Sequence, residues 1–176
     1  DQNVLKNFIN VVKQCDLEID NIIYSPYAIG LSLLSEEEKE LGVALIDIGS
    51  TLSTVSIFYN GAILYTKIIP LGGNMITNDI SRMFSLSTSD SERIKIINGQ
   101  LIEELENSLS IIEVDSLGGE YDSIEITRKD LIAVIKPRVN EIINSIKEKI
   151  IKSQYNHLIA NRVVITGGAA QMDGLI

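Results

Sequence analysis

The sequence is poor in the residues that mark several classes of protein. Its 176 residues include no Trp, one Cys and three Pro, and aromatic residues make up only 5%. The lone Cys15 has no partner for an intramolecular disulfide, which fits a reducing compartment. No run of about 18 apolar residues occurs, so the sequence predicts no helix that spans a bilayer. These shortages disfavour a secreted domain held together by disulfides.

Positive charge is also scarce. The chain has 15 Lys and Arg against 24 Asp and Glu, which gives a net charge of −9. Nucleic-acid-binding domains carry a basic patch that neutralises phosphates, so this charge balance disfavours such a function. Hydrophobic residues at 45% and charged residues at 22% are instead typical of a globular domain with a core. The sequence begins at Asp1 without Met, and we expect it to be part of a longer protein.

Hydrophobic periodicity predicts the secondary structure. Helical spacing predicts helices over residues 4–15, from Ser25, over 76–84, from a capping box at 89–92 to Gly99, and from Thr127 to about 150. Apolar runs and alternation predict strands at 17–24, 43–48, 55–59, 62–69, 110–114, 123–126 and 163–165. Asn60-Gly61 predicts a tight hairpin turn. Pro137 predicts a kink or a division of the long helix. The acidic run at residues 36–38 predicts a solvated helix end or loop.

This order of elements predicts an α/β fold. Three strands are followed by two helices, a short stretch of further strands, the longest helix and a last buried strand that runs into Gly167-Gly168. Such an order is typical of a mixed sheet flanked by helices, with a smaller α+β subdomain inserted.

Three short segments carry possible chemistry. The segment Asp47–Thr54 follows a buried strand, where small residues let backbone N–H groups approach phosphates and an Asp can hold Mg²⁺ through water. Gly167-Gly168 lets a flat ligand approach the backbone closely. Glu92 and Lys95 lie three apart on one helix face and can clamp a ribose or a base edge. Taken singly, each segment has an ordinary structural explanation. The first is also explained as a polar turn, the second as a Gly turn and the third as a surface ion pair.

Taken together, the segments resemble the second lobe of the superfamily that contains actin, Hsp70 and sugar kinases. The finer resemblance is to the FtsA family of actin-like bacterial cell-division proteins, and it extends over nearly the whole chain. Four stretches carry it: "SPYAIGLSLLSEEEKELGVALIDIG" (25–49), "IPLGGNMITNDIS" (69–81), "KPRVNEI" (136–142) and "VVITGGAAQMDGL" (163–175).

The resemblance implies an actin-like, ribonuclease H-like lobe. Residues 1–40 would end subdomain IA and form the connecting helix. Residues 41–73 and 155–176 would form subdomain IIA, and 74–154 mainly subdomain IIB. The implied cofactors are ATP and Mg²⁺, with Asp47 as the water-mediated metal contact. The implied nucleotide-binding residues are Asp47, Gly49, Ser50, Thr51, Gly72, Gly73, Glu92, Lys95, Gly167 and Gly168.

The phosphate turn departs from the family pattern. FtsA-like proteins usually have D-I-G-G-G-T-T, whereas Ser50 and Thr51 replace two glycines here and Leu52 replaces a Thr. Added Cβ atoms restrict positive φ and narrow the space for a phosphate. We therefore expect weak or absent ATP and Mg²⁺ binding by this piece alone. We expect no catalytic residue in it, and at most a weak ATPase in the intact protein.

The resemblance also implies partners and a location. FtsA-like proteins dock the C-terminal tail of the tubulin-like protein FtsZ on subdomain IIB, self-associate into actin-like filaments and help assemble the divisome at the septum. They lie at the cytoplasmic face of the inner membrane, attached through a C-terminal helix. Arg138 and Glu141 lie on the long helix away from its apolar stripe, which makes them candidate docking residues or an ordinary exposed ion pair. His157 has no second His or Cys nearby, so we expect no metal there.

Two other functions remain open at this point. A PilM-like protein of type IV pilus assembly shares the D-x-G turn and the Gly-Gly segment, although "TNDIS" and "KPRVNEI" favour cell division. A sugar kinase of the same superfamily is a third possibility, but such kinases take their catalytic base from the other lobe.

Overall fold

The structure, a computed structural model, describes residues 2–102, 110–115, 123–159 and 162–175. The chain divides into two compact units, Asp1–Leu33 and Leu34–Ile176. The first unit contains helices α1 (Gln2–Gln14) and α2 (Ser25–Leu33), as their apolar spacing predicts. The predicted strand at 17–24 is wrong, because these residues form no strand. Nothing described in this unit is a strand with which they could pair.

The second unit opens with a short helix, α3 (Glu36–Leu41). The backbone N–H of Glu38 donates to Ser35 Oγ at 3.2 Å, and the Ser35 N–H donates to Glu38 Oε2 at 2.9 Å. This reciprocal pair is a capping box, which satisfies two donors that a helix start leaves free. The acidic run that the sequence assigned to a helix end or loop is therefore the first turn of a helix.

A four-stranded mixed sheet forms the centre of the second unit. Its strands are β1 (Val43–Ile48), β2 (Ser53–Tyr59), β3 (Ala62–Ile69) and β6 (Val163–Thr166), in the order β3-β2-β1-β6. The first three are antiparallel neighbours, whereas β6 is parallel to β1, with Thr166 beside Asp47. Asn60 and Gly61 have φ of 50° and 72°, which confirms the predicted hairpin turn.

Three helices share one hydrophobic core with this sheet. They are α4 (Gly73–Phe84), α5 (Thr88–Asn98) and α6 (Arg128–Ile151). Apolar residues of the sheet and helices form one core: Ile46, Ile48, Val55, Ile69, Ile76, Ile80, Ile94, Leu131, Ile135, Val139, Ile142 and Ile146. The predicted stripe of the long helix is thus confirmed. The helix runs unbroken through Pro137, so no division occurs there, because buried residues on both sides of Pro137 pack into the same core.

A two-stranded antiparallel sheet is inserted before α6. It consists of β4 (Ile111–Asp115) and β5 (Ser123–Thr127), which confirms the two short strands predicted at 110–114 and 123–126. Thr127 caps α6 by accepting from the Asp130 N–H, as the sequence predicts. Helix α5 is capped by Ser87 instead of the predicted Ser89. Among the described residues, no helix combines the length and apolar character needed to cross a membrane.

Candidate functional site

One cleft of about 350 Å³ opens where the end of β1, the start of α4, helix α5 and the turn after β6 meet. These four elements come from distant parts of the sequence, and the parallel pairing of β1 with β6 brings their ends together. Six residues predicted from the sequence line this cleft: Gly49, Ser50, Gly73, Glu92, Lys95 and Gly168. The other four predicted residues, Asp47, Thr51, Gly72 and Gly167, do not line the cleft, although each lies within two residues of one that does.

The carboxylate of Asp47 lies directly beside Gly167. A Cβ built on Gly167 would be 2.6 Å from Asp47 Oδ1 and 2.4 Å from the Ile48 carbonyl oxygen. The φ of Gly167 is also +98°, a conformation that side chains rarely adopt. The first glycine of the pair is therefore required by the fold, because it admits the Asp47 side chain at the strand end.

The turn that follows β1, at Gly49 and Ser50, is hydrogen-bonded to the first turn of α4. The Gly73 N–H donates to the Gly49 carbonyl at 2.9 Å, and the Asn74 N–H donates to the Ser50 carbonyl at 2.7 Å. Ser50 Oγ also donates to Asn74 Oδ1 at 2.7 Å. Ser50, which stands where the family pattern has a glycine, thus has a hydrogen-bond partner in Asn74. Two amides at the start of α4 are used by the protein itself, so they are not available to an anion.

The backbone of this turn packs closely against Gly72. A Cβ on Gly72 would lie 2.6 Å from the Ser50 carbonyl oxygen and 2.7 Å from that of Gly49. Its own φ of −162° is ordinary extended backbone. The residue is a glycine because the backbone of the turn leaves no room for a side chain.

Glu92 and Lys95, which line the cleft, form a hydrogen-bonded network with the buried Thr77. Lys95 Nζ donates to Glu92 Oε2 at 2.6 Å, to Thr77 Oγ1 at 2.9 Å and to the Gly73 carbonyl at 3.2 Å. Thr77 Oγ1 donates to the same Glu92 Oε2. The Lys95 side chain is 10% exposed and that of Glu92 41%. Sequence analysis identified Glu92 and Lys95 but missed Thr77, which lies on a different helix.

This network shifts the acidity of Glu92. Partial burial on its own would raise the pKa of the carboxyl, but the hydrogen bonds from Lys95 and Thr77 and the Lys95 charge outweigh it and leave the pKa lowered. Glu92 is therefore an ionised hydrogen-bond acceptor at neutral pH.

Gly168, the second glycine of the pair, faces open space. A Cβ built there meets nothing within 4 Å, and its φ lies outside the positive range. The fold alone therefore does not demand a glycine at this position. A bound ligand that packs against the backbone would demand one.

The cleft also contains residues that sequence analysis did not identify: Ile96, Ile97, Gly99, Ala169, Gln171, Met172 and Asp173. Ile96 and Ile97 are 71% and 69% exposed, which is unusual for isoleucine on a helix. Their signal in the sequence is a pair of isoleucines that directly follows Lys95, in a helix whose other isoleucine, Ile94, is buried in the core. Together with Met172 they add apolar surface to the lining of the cleft.

Arg138 and Glu141, the candidate docking residues, belong to a network that joins two helices. Arg138 Nε donates to Asp79 Oδ2 at 2.6 Å and Arg138 Nη2 donates to Asp79 Oδ1 at 3.0 Å. Arg138 also pairs with Glu141, and the bonds to Asp79 raise the pKa of Arg138. The side chain is only 23% exposed. The prediction that Arg138 and Glu141 form an exposed pair within one helix is thus incomplete, because Arg138 also binds Asp79 on α4.

Metal ligands are sparse in the described part of the chain. No group of three or more His, Cys, Asp or Glu side chains is arranged to hold a metal ion there. His157 lies exposed in a short 3-10 helix, Asn156–Leu158. A single Asp at a strand end matches the way proteins hold Mg²⁺, which keeps several waters and takes most other ligands from substrate phosphates.

Sequence comparison identifies a family. A family model described as "Cell division protein FtsA" matches residues 44–176. The cell division protein FtsA of Escherichia coli (strain K12) is 36% identical over 98% of this chain and 43% of that protein. FtsA of Pseudomonas aeruginosa (strain PAO1) is 36% identical over 99% of the chain, and FtsA of Agrobacterium fabrum (strain C58) is 32% identical over 99%. The chain spans about two fifths of the length of these relatives.

Structural comparison finds the same fold in actin-like proteins. MreB5 of Spiroplasma citri bound to ADP has a TM-score of 0.80 at 19% identity, covering 96% of this chain and 54% of that one. A PilM–PilN type IV pilus biogenesis complex gives 0.73 at 16% identity, covering 99% of this chain and 43% of that one. Identities this low establish the fold alone. The actin-like fold predicted from the sequence, a mixed sheet with helices and a small inserted sheet, is confirmed.

Proposed function

Since this chain belongs to the FtsA family of cell division proteins, we propose that it forms the nucleotide-binding lobe of an actin-like division protein. The observation that carries this proposal is the convergence of Gly49, Ser50, Gly73, Glu92, Lys95 and Gly168 on one cleft. These residues come from distant segments of the sequence that meet at the end of the parallel pair β1 and β6. Nucleotides bind in such a position in open α/β sheets, outside the carboxyl ends of the strands.

The cleft offers complementary surfaces for the parts of ATP. Ile96, Ile97 and Met172 offer apolar surface to a purine, and the backbone at Gly168 leaves room for its flat face. Glu92 offers an acceptor to ribose hydroxyls. The phosphate end has fewer donors, because α4 amides are bound to the turn and Lys95 is bound to Glu92. Asp47 would hold Mg²⁺ through water, with Thr51, Gly72 and Gly167 shaping the surrounding backbone.

We assign the longer protein a scaffolding role in division. Residues 1–40 would end subdomain IA, 41–73 and 155–176 would form subdomain IIA, and 74–154 mainly subdomain IIB. The intact protein would bind the FtsZ C-terminal tail, assemble into filaments and attach to the cytoplasmic face of the inner membrane at the septum. Any ATP hydrolysis would be weak and would need groups from the other lobe. Arg138 and Glu141 are the candidate docking residues.

Equilibrium titration of the full-length protein with ATP and Mg²⁺ tests the nucleotide assignment. Wild type is expected to bind one ATP per chain, and Gly168→Val is expected to bind at least tenfold more weakly, because its side chain occupies the cleft. Thermal unfolding of both proteins controls for loss of fold. Equal ATP affinity in the two proteins would show that this cleft is not the nucleotide site.

A further inference from the structure

A short strap, residues 99–102, follows α5 and forms part of the cleft. Its first residue, Gly99, lines the cleft, and so does Asp173 in the segment after β6. The Leu101 N–H donates to the Asp173 carbonyl at 2.8 Å, within an isolated parallel β-bridge between Gln100 and Asp173. The backbone of the strap is thus paired with a segment that lines the cleft.

Side chains of the strap also pack closely against the segment around Asp173. A Cβ built on Gly174 would be 2.6 Å from Ile102 Cγ1, and one built on Gly99 would be 3.4 Å from Met172 Cε. Gly174 has a φ of +83°, which side chains rarely adopt. Because such contacts leave little free space, a displacement of the strap would move Met172 and change the shape of the cleft.

The side chain of Arg128 reaches the strap from the first turn of α6. Arg128 Nη1 donates to Gln100 Oε1 at 3.3 Å, and Arg128 Nε donates to Ser110 Oγ at 2.9 Å. The same Gln100 amide donates from Nε2 to the Ile102 carbonyl at 3.0 Å. Gln100 therefore links Arg128 to the far end of the strap, although Arg128 and Gln100 are 28 residues apart in sequence.

We propose that Arg128 is a positioning residue for the cleft, although it is not among the described residues that line it. Through Gln100 it holds the strap against Asp173, and so it fixes one side of the space in which a ligand packs. This inference rests on the proposed nucleotide function and adds to it a residue outside the cleft. Because coupling between two sites is reciprocal, a bound ligand must also stabilise the strap.

Nucleotide titration of the full-length protein tests the role of Arg128. Arg128→Met keeps the methylene stem and loses the guanidinium. It is expected to bind ATP with Mg²⁺ about three- to tenfold more weakly, because the strap is then correctly placed in only a fraction of the molecules. Gln100→Met removes the acceptor in the strap and is expected to cause a similar loss, and it gives the same comparison if Arg128→Met does not fold. The double variant should bind no more weakly than the weaker single variant, because both changes break one interaction.

Lys129→Met is the matched control. Lys129 is the next residue of α6, and its side chain is exposed. This variant loses one positive charge from the same helix turn and is expected to bind ATP with the wild-type affinity. A loss as large as that of Arg128→Met would mean that the missing charge, and not the bond to Gln100, lowers the affinity, which would contradict the proposal.

Amide hydrogen exchange separates a local effect on the strap from a general loss of fold. The Leu101 N–H is expected to exchange at least about fivefold faster in ligand-free Arg128→Met than in ligand-free wild type, whereas amides of β1 and β2 keep their wild-type rates. ATP is expected to slow exchange of the Leu101 amide in wild type at least about threefold. Mass spectrometry of peptides that contain residues 99–102 measures both effects.

The outcomes distinguish the proposal from the function on which it rests. Wild-type ATP affinity in Arg128→Met, or losses that add in the double variant, would show that the positioning role is wrong while the nucleotide site stands. Faster exchange in β1 and β2 as well as in the strap would show that Arg128 supports the whole fold, which would also overturn the proposal. Failure of wild type to bind ATP at all would overturn the proposed function and this inference together.

Discussion

Asp79 on α4 and Arg138 on α6 form a two-point ion pair, with Arg138 Nε 2.6 Å from Asp79 Oδ2 and Arg138 Nη2 3.0 Å from Asp79 Oδ1. The residues are 59 apart in sequence, and both side chains are about one quarter exposed. Parallel bonds of this kind give both strength and direction to a guanidinium–carboxylate contact. The pair therefore ties the helix that begins at the cleft to the helix that carries the candidate docking residues.

Breaking this pair is expected to lower stability. Asp79→Asn and Arg138→Gln should each reduce the free energy of unfolding by about 1–2 kcal/mol, between the values for exposed and for fully buried pairs. The double variant should lose less than the sum, as urea titrations of all four proteins would measure. Glu148→Gln is the matched control, because its exposed pair with Lys152 should contribute nothing measurable. Additive losses would contradict a direct interaction.

The same pair makes a prediction about peptide docking. If Arg138 pairs with a carboxylate of the FtsZ C-terminal tail, that carboxylate competes with Asp79 for the guanidinium. Asp79→Asn should then strengthen binding of an FtsZ tail peptide about three- to tenfold, and Arg138→Glu should weaken it at least tenfold. Fluorescence anisotropy with the full-length protein measures both. Arg138→Glu also loses the contact to Asp79, so its fold must be checked separately. Equal affinities in wild type and both variants would place docking elsewhere.

The two glycines after β6 should differ strongly in how much stability they lose on substitution by alanine. Gly167→Ala is expected to cost about 2 kcal/mol or more of unfolding free energy, because φ is +98° and the new Cβ would overlap the Ile48 carbonyl and the Asp47 carboxylate. Gly168→Ala is expected to change stability by less than about 0.5 kcal/mol, because its Cβ meets nothing within 4 Å. Chemical denaturation of both variants under one set of conditions makes the comparison. Equal losses would contradict the assignment of Gly168 to the ligand.

Acid should weaken the Glu92 network. The pKa of Glu92 is lowered in the folded protein, so its contribution to stability is present above the unfolded pKa of about 4.3 and is lost as the pH falls through the folded value. Wild type should therefore lose more stability between pH 6 and pH 3 than Glu92→Gln, which cannot titrate at this position. Thermal unfolding across this range gives the comparison. Parallel stability profiles would mean that Thr77 and Lys95 do not stabilise the ionised carboxylate.

Local sequence signals predicted most of the second unit. Strands β1, β2, β3 and β6 and the stripe of α6 follow from apolar runs and periodicity, and the hairpin follows from Asn60-Gly61, whose backbone needs positive φ. The segment 17–24 was mistaken for a strand because alternation says nothing about whether a partner strand is near. The N-cap of α5 was misplaced by two residues because Ser87 and Ser89 have the same capping chemistry.

The candidate site was only partly visible in the sequence. Glu92 and Lys95 were found because they lie three apart on one helix. Thr77 and Asp79 were missed because their partners lie on other helices, 15 and 59 residues away, and nothing local marks such contacts. The division of roles between Gly167 and Gly168 also depends on neighbouring backbone atoms. Sequence spacing thus identified the segments, and only packing showed which atoms face the cleft.

A crystal structure of the full-length protein with ATP or a non-hydrolysable analogue and Mg²⁺ tests the nucleotide assignment most directly. The account predicts a purine ring against the backbone of Gly168 and beside Ile97, with a ribose hydroxyl within hydrogen-bond distance of Glu92. A nucleotide bound elsewhere on the protein, with this cleft containing only water, would contradict it.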